Sequence, residues 1–141
     1  MGSKKHKDII IDTSFFIALA KANDTHHEKA KKLAKFHSKK VWITTWPVIT
    51  ELSHILSTNP FLALLEEQQK GLFTIFSVLE DTIPRMIELK KRYLDHDLDL
   101  ADISLILLAE HLGHGSILTF DINDFSYLKW NKTHSFQLNE I

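Results

Sequence analysis

The chain has 141 residues, of which 44% are hydrophobic and 25% charged, enough for one domain with a full core. Its formal net charge is −1, so it does not grip nucleic acid by bulk charge alone. It has no Cys, which excludes disulfides and Cys-based zinc sites, and no apolar run near the roughly 20 residues of a membrane span.

Residues 1–7 read as a basic tail, with Met1-Gly2-Ser3 of the kind a cloning vector leaves, and residues 8–141 as a single domain. No apolar signal-peptide core follows the tail, and the lack of Cys fits a cytoplasmic location. Residues 8–12 read as a short buried strand, apolar and β-branched. Thr13 and Ser14 offer hydroxyls for a helix start, and residues 15–20 form the helix. Asn23-Asp24-Thr25 breaks it, and Thr25 with Glu28 makes a capping box for a second helix to about Phe36. Residues 41–44 are a second strand. Pro47 suits the first turn of the helix that carries Val48, Ile49, Leu52, Ile55 and Leu56. Ser57-Thr58-Asn59-Pro60 ends it, residues 61–69 form another helix, and Gly71 precedes a third strand at 72–76. A long amphipathic helix is expected over 80–95. A strongly apolar helix then runs from Asp99 or Leu100 to Gly113. Residues 116–120 form a fourth strand, followed by a short acidic turn and a last strand near 134–136. Strands alternating with helices predict an α/β fold: a three-layer α/β/α sandwich around a mostly parallel sheet of four or five strands.

Five acids stand at the edges of these apolar runs: Asp12, Glu51, Asp102, Asp121 and Asp124. A carboxylate is costly to bury unless it is paired or bound to metal. Asp12 and Asp121 fall at the carboxyl ends of the first and fourth strands, where an open parallel sheet places its ligands. Oxygen-only ligands of this kind suit Mg²⁺ or Mn²⁺. With five carboxylates absorbed by metal, the remaining surface is net basic, and lysines cluster at 29–40 and 90–91. Such runs are either solvated helix faces or a phosphate-tracking surface.

Ile10-Ile11-Asp12-Thr13-Ser14 resembles the opening motif of PIN-domain ribonucleases. Pro47-Val48-Ile49-Thr50-Glu51-Leu52 resembles their second acidic motif, and Leu98-Asp99-Leu100-Ala101-Asp102-Ile103 their third. Leu118-Thr119-Phe120-Asp121-Ile122-Asn123-Asp124-Phe125 is similar to their fourth. His26-His27-Glu28-Lys29-Ala30 is similar to a segment of VapC-type toxins from VapBC toxin–antitoxin pairs. The resemblance implies a Mg²⁺- or Mn²⁺-dependent endoribonuclease with Asp12, Glu51, Asp102 and Asp121 as its acidic quartet and Asp124 in support. It implies that Thr13, Ser14 and Thr119 orient carboxylates or contact phosphate. It also implies three partners: RNA, a cognate antitoxin and a second copy of the chain. Divalent cations held by carboxylates activate water and stabilise the leaving oxygen, so neither a His nor a Ser nucleophile is needed.

Plainer readings stand beside these. Asp12 can be a helix cap, Glu51 and Asp102 first-turn acids favoured by the helix dipole, and Asp121 and Asp124 turn residues. Asp99 is a cap residue within reach of the metal pocket. Asp95-His96-Asp97-Leu98-Asp99 imitates a calcium loop but has Leu100 where Gly is needed and Ile106 where Glu is needed. Glu51 and His54 have di-iron spacing without the second copy such a site needs. His111 and His114 lack further zinc-ligand motifs, and no Gly-rich phosphate loop occurs. Trp42, Trp46 and Trp130 are either core residues or base-stacking platforms. Leu62 and Leu65 belong to an apolar cluster expected to face an antitoxin or a second copy. Two other functions share this fold: RNA processing without a toxin role, and a non-catalytic RNA- or protein-binding module.

Overall fold

A computed structural model describes residues 6–141; the rest of the expected tail, residues 1–5, lies outside the described residues. The chain runs β1 (Asp8–Ile11), α1 (Thr13–Ala20), α2 (His27–Phe36), β2 (Val41–Thr45), α3 (Trp46–Ile55), α4 (Thr58–Gln69) and β3 (Phe73–Phe76). It continues with α5 (Ile83–Arg92), α6 (Leu100–Leu112), β4 (Ser116–Leu118) and α7 (Ile122–Tyr127). Three two-residue strands close it: β5 (Lys129–Trp130), β6 (His134–Ser135) and β7 (Gln137–Leu138).

The main sheet has the order β3-β2-β1-β4-β7, and every pairing in it is parallel. Ile9, Ile10 and Ile11 have no exposed surface, so β1 is covered on both faces. That is why its sequence is a continuous apolar run and not an alternating one. The result is the expected three-layer α/β/α sandwich. β1 sits opposite β2 with Ile10 against Ile43, and opposite β4 with Ile11 against Leu118. The chain moves outward from β1 to β2 and β3, then returns to place β4 on the other side of β1. The strand order therefore reverses between β1 and β4, the crevice where such sheets bind ligands.

α6 is the central helix. Eight of its residues are buried, from Ala101 through Ala109, and its propensity for burial follows from the apolar run Ile103–Ala109. It ends where Gly113 adopts a left-handed conformation (φ 77°) and its N–H returns to the Ala109 carbonyl. A two-pronged ion pair between Arg85 and Glu110 fastens α5 to α6, with nitrogen–oxygen distances of 3.1 and 2.7 Å. The buried His114 hydrogen-bonds Asp8 and the Ser116 N–H, and His6 stacks on its ring. No helix among the described residues is long and apolar enough to cross a membrane.

Several sequence expectations are corrected. The long helix over 80–95 is broken: Glu80–Thr82 and Leu94–His96 are 3₁₀ turns flanking α5. Pro84 sits in the first turn of α5, where a residue without N–H is tolerated, and Asp97 turns the chain with φ 51°. α4 begins at Thr58 and not at 61, with Pro60 in its first turn. Thr25 and Glu28 form no capping box: His26 holds the cap position without a side-chain bond, and Asp24 Oδ1 accepts the His26 N–H at 2.8 Å instead. The acidic turn after β4 opens the helix α7. The last strand expected near 134–136 is two pieces: β6 pairs antiparallel with β5, and β7 completes the main sheet. Phe136 between them is buried, and two-residue strands leave no periodicity to read.

Gly115 lies where the C-terminal segment crosses β4. A Cβ there would stand 2.5 Å from Trp130 Nε1 and 3.2 Å from Phe136 Cα. The indole cannot simply swing aside, because its Nε1–H donates to the Ser135 carbonyl. Gly115→Ala is expected to destabilise the fold by about 1–3 kcal/mol in urea unfolding. An unchanged midpoint would show that this crossing is loose.

Candidate active site

The site forms at the carboxyl ends of β1 and β4. Asp12 leaves β1 as the residue before α1, and its N–H donates to the Leu118 carbonyl of β4 at 3.1 Å. It is almost fully buried. Its side chain does not cap α1. Asp12 Oδ2 instead accepts hydroxyl hydrogen bonds from Thr119 at 2.7 Å and Ser14 at 2.8 Å. Thr13, between them in sequence, turns the other way and donates to Glu51 Oε1 of α3 at 2.5 Å. The hydroxyls of Thr13, Ser14 and Thr119 thus each donate to a carboxylate.

Thr119 is itself held from both sides. Asn139 Oδ1 accepts its N–H at 2.9 Å, and Asn139 Nδ2 donates to its carbonyl at 2.7 Å. The Asp121 N–H donates to Thr119 Oγ1, and the Phe120 N–H to Ser14 Oγ. Asn139 was not foreseen. It stands 20 residues downstream, and only the parallel pairing of β7 with β4 brings it there.

Asp102 lies in the first turn of α6, where its N–H is capped by Asp99 Oδ1 at 2.9 Å. Asp121 caps α7 by accepting the Asp124 N–H. Asp99 is therefore the cap residue the sequence suggested, whereas Asp121, read there as a turn residue, caps a helix, and both acids also act on the cluster. Burial, followed by the charges of Asp99, Asp12, Asp124 and Asp121, pushes Asp102 up to about 8. Burial and the adjacent Asp124 push Asp121 up to about 6. Burial raises Asp12 against the opposing hydrogen bonds from Thr119 and Ser14. Burial also raises Glu51, opposed by Thr13 and reinforced by Asp99 and Asp12. These effects join Asp12, Glu51, Asp102, Asp121 and Asp124 into one electrostatic unit and add Asp99 to it.

Asp124 has a partner the sequence did not suggest. His96 Nε2 lies 2.9 Å from Asp124 Oδ1, and the imidazole stacks on Tyr127. Among the described residues, none of Asp12, Glu51, Asp102 and Asp121 pairs with a Lys or Arg. Nor do any three His, Asp or Glu side chains among them stand as a ready-made metal cage. The donor chemistry nevertheless fits a hard divalent cation: oxygen ligands only, crowded, part-buried and uncompensated. The calcium-loop, di-iron and zinc alternatives gain nothing from the geometry: His111 packs on Phe76 and His114 bonds Asp8.

A parallel α/β sandwich with acids converging at its switch point defines the class of fold. The PIN-domain family model matches residues 9–131, and the chain belongs to the PIN-domain family. Seven solved chains match it in structure. One is the crystal structure of Mycobacterium tuberculosis VapC20, named as a sarcin-ricin-loop-cleaving toxin. The TM-score is 0.68 at 22% sequence identity, covering 82% of this chain and 91% of that one, a likeness of fold. No curated protein sequence matches this chain.

A carboxyl with a native pKa above its unfolded value binds more protons when folded. Metal-free stability therefore falls as pH rises from about 4 toward about 8, the window between the unfolded and folded values for Asp102. Asp102→Asn is expected to melt several degrees higher than wild type at pH 8 without metal, with the gap closing toward pH 4. Thermal melts at the two pH values check this. A variant that melts lower at both would show that the carboxylate is not a source of strain.

Proposed function

We propose that this chain is a Mg²⁺- or Mn²⁺-dependent endoribonuclease of the cytoplasm and the toxin of a toxin–antitoxin pair. The observation that carries the enzymatic reading is the carboxylate cluster itself. Asp12, Glu51, Asp102 and Asp121 repel one another in a part-buried crevice with no Lys or Arg paired to them among the described residues. A binding module gains nothing from such an arrangement. A metal-dependent hydrolase needs it.

Asp12, Glu51, Asp102 and Asp121, with Asp124 in support, would hold the cation. When bound there, it supplies charge neutralisation and a more acidic water. The chain's own groups do the rest. Thr119 and Ser14 fix Asp12 in one orientation, Thr13 fixes Glu51, and Asn139 holds Thr119 in place. In the reaction, a water oxygen bonds to phosphorus as the P–O3′ bond breaks, and the departing O3′ takes a proton. The products carry 5′-phosphate and 3′-hydroxyl ends.

The toxin assignment rests on PIN-family membership, the fold shared with a toxin and the VapC-like segment at His26–Ala30. The proposed partners are RNA, a cognate antitoxin and a second copy of the chain. α4 has no buried residue, and Leu62 and Leu65 are 51% and 38% exposed, which supports its apolar face as the antitoxin contact.

The test is cleavage of a total-RNA pool with Mg²⁺ or Mn²⁺ and with EDTA. Asp12→Asn and Asp102→Asn are expected to lose activity by on the order of a hundredfold or more, and Asn139→Ala by about tenfold. Cleavage that survives EDTA or both Asn substitutions would overturn the metal-dependent reading. In the same preparations, Leu62→Asp and Leu65→Asp should lose co-purification with the product of an adjacent small gene while retaining cleavage. Undiminished co-purification would remove α4 from the interface.

A further inference from the structure

The sheet order puts an aromatic side chain on either side of the carboxylates. Trp46 follows β2, Asp12 follows β1 and Phe120 comes shortly after β4, and these strands are neighbours in the order β2-β1-β4. All three residues therefore stand on the carboxyl edge of the sheet, with Asp12 between the aromatics. Adjacent strands are 4.7–4.9 Å apart, so the two flanks are about 10 Å apart at their roots.

Each flank opens into a cavity that the acids share. On one side Trp46, Pro47 and Leu100 join Glu51 and Asp99 around about 340 Å³. On the other, His26 and Phe120 join Ser14 and Asp121 around about 380 Å³. Both volumes lie within the range of small-ligand sites. The three tryptophans separate cleanly here. Trp42 and Trp130 are 4% and 8% exposed and belong to the core, whereas Trp46 is 52% exposed despite its large apolar surface. His26 lies flat on Phe120, with ring centroids 4.4 Å apart and planes 4° from parallel. Asp24 holds the His26 backbone, while His27 Nδ1 donates to the Ala18 carbonyl, so the loop that presents His26 is anchored at both residues.

We propose that Trp46 and the His26–Phe120 pair are two base-stacking platforms that grip a single RNA strand on either side of the phosphate to be cut. This rests on the phosphodiester-cleaving reading for the position of the phosphate, but the platforms bind bases whether or not the bond breaks. Unpaired bases offer faces to aromatic rings, and stacking tolerates any base. A duplex keeps those faces covered. The two platforms therefore select an unstacked strand, and they supply grip without positive charge in a crevice lined by acids. An apolar peptide side chain is the competing occupant of the Trp46 cavity.

The test measures binding without cleavage. Asp12→Asn protein with Mn²⁺ is titrated with a short single-stranded RNA of mixed sequence and with a duplex of the same length. Trp46 is the exposed indole, so its fluorescence should be quenched by the single strand. Trp46→Ala and His26→Ala should each weaken single-strand binding about tenfold, while Trp46→Phe restores most of it. The duplex should bind at least tenfold more weakly than the single strand. Mn²⁺ affinity, whatever its level in the Asp12→Asn parent, should not change further when Trp46 or His26 is also replaced. Equal binding by both alanine variants, no binding by the parent, or no preference for the single strand would overturn the proposal. Wild-type protein that binds the strand through Trp46 and His26 but never cuts it would support the platforms and reject the nuclease reading, so the two failures are distinct.

Discussion

A negative charge held in the interior governs the site. Asp12 is buried at the carboxyl end of β1, where an isolated carboxylate is strongly disfavoured. Hydroxyl donors from Ser14 and Thr119 offset part of that penalty, each bond to a charged group contributing about 1.5–3 kcal/mol. Among the described residues no Lys or Arg pairs with Asp12 to offset the remainder, and the neighbouring acids add to it. Local features of the edge follow from this constraint. Thr13 and Ser14 turn in opposite directions to serve two carboxylates, Thr119 is clamped by Asn139, and Asp99 and Asp121 spend their side chains on helix caps. The fold contributes by placing β1 between β2 and β4, so that acids from four separate segments meet at one switch point.

The same arrangement explains a trade between stability and function. An apolar or amide replacement at Asp102 relieves repulsion within the metal-free protein, but it removes a charge that the proposed cation would need. Strain of this kind is common at working sites, where local rules are broken for function. The strength of the surrounding core makes it tolerable. β1 is buried from Ile9 to Ile11 and α6 at eight positions between Ala101 and Ala109, and the Arg85–Glu110 pair fixes the helix that carries Asp102.

Much of this was legible in the sequence because the acids end apolar runs. Ile9-Ile10-Ile11 announces a strand covered on both faces, and the residue after it must lie at the sheet edge. Ile103–Ala109 announces a buried helix, which fixes Asp102 in its first turn. What could not be read depends on contacts far apart in the chain. Asn139 reaches Thr119 through a two-residue strand that has no pattern of its own. His96 meets Asp124 across a 3₁₀ turn that the periodicity of 80–95 concealed. Asp99 was seen as a cap, which it is, but its pressure on Glu51 and Asp102 emerges only in three dimensions. The three tryptophans look alike in sequence, and only their burial sets Trp46 apart.

The central claim is that these carboxylates form one cluster completed by a divalent cation. Calorimetric titration of the protein with Mn²⁺ at pH 7, in buffers of different ionisation heat, tests it most directly. Asp102 is pushed up to about 8, so it holds its proton at that pH until a cation arrives. Binding is expected to release about one proton per cation, seen as a heat that varies with the buffer, and Asp102→Asn should remove most of the release. No binding, or binding whose heat is the same in every buffer, would contradict the account.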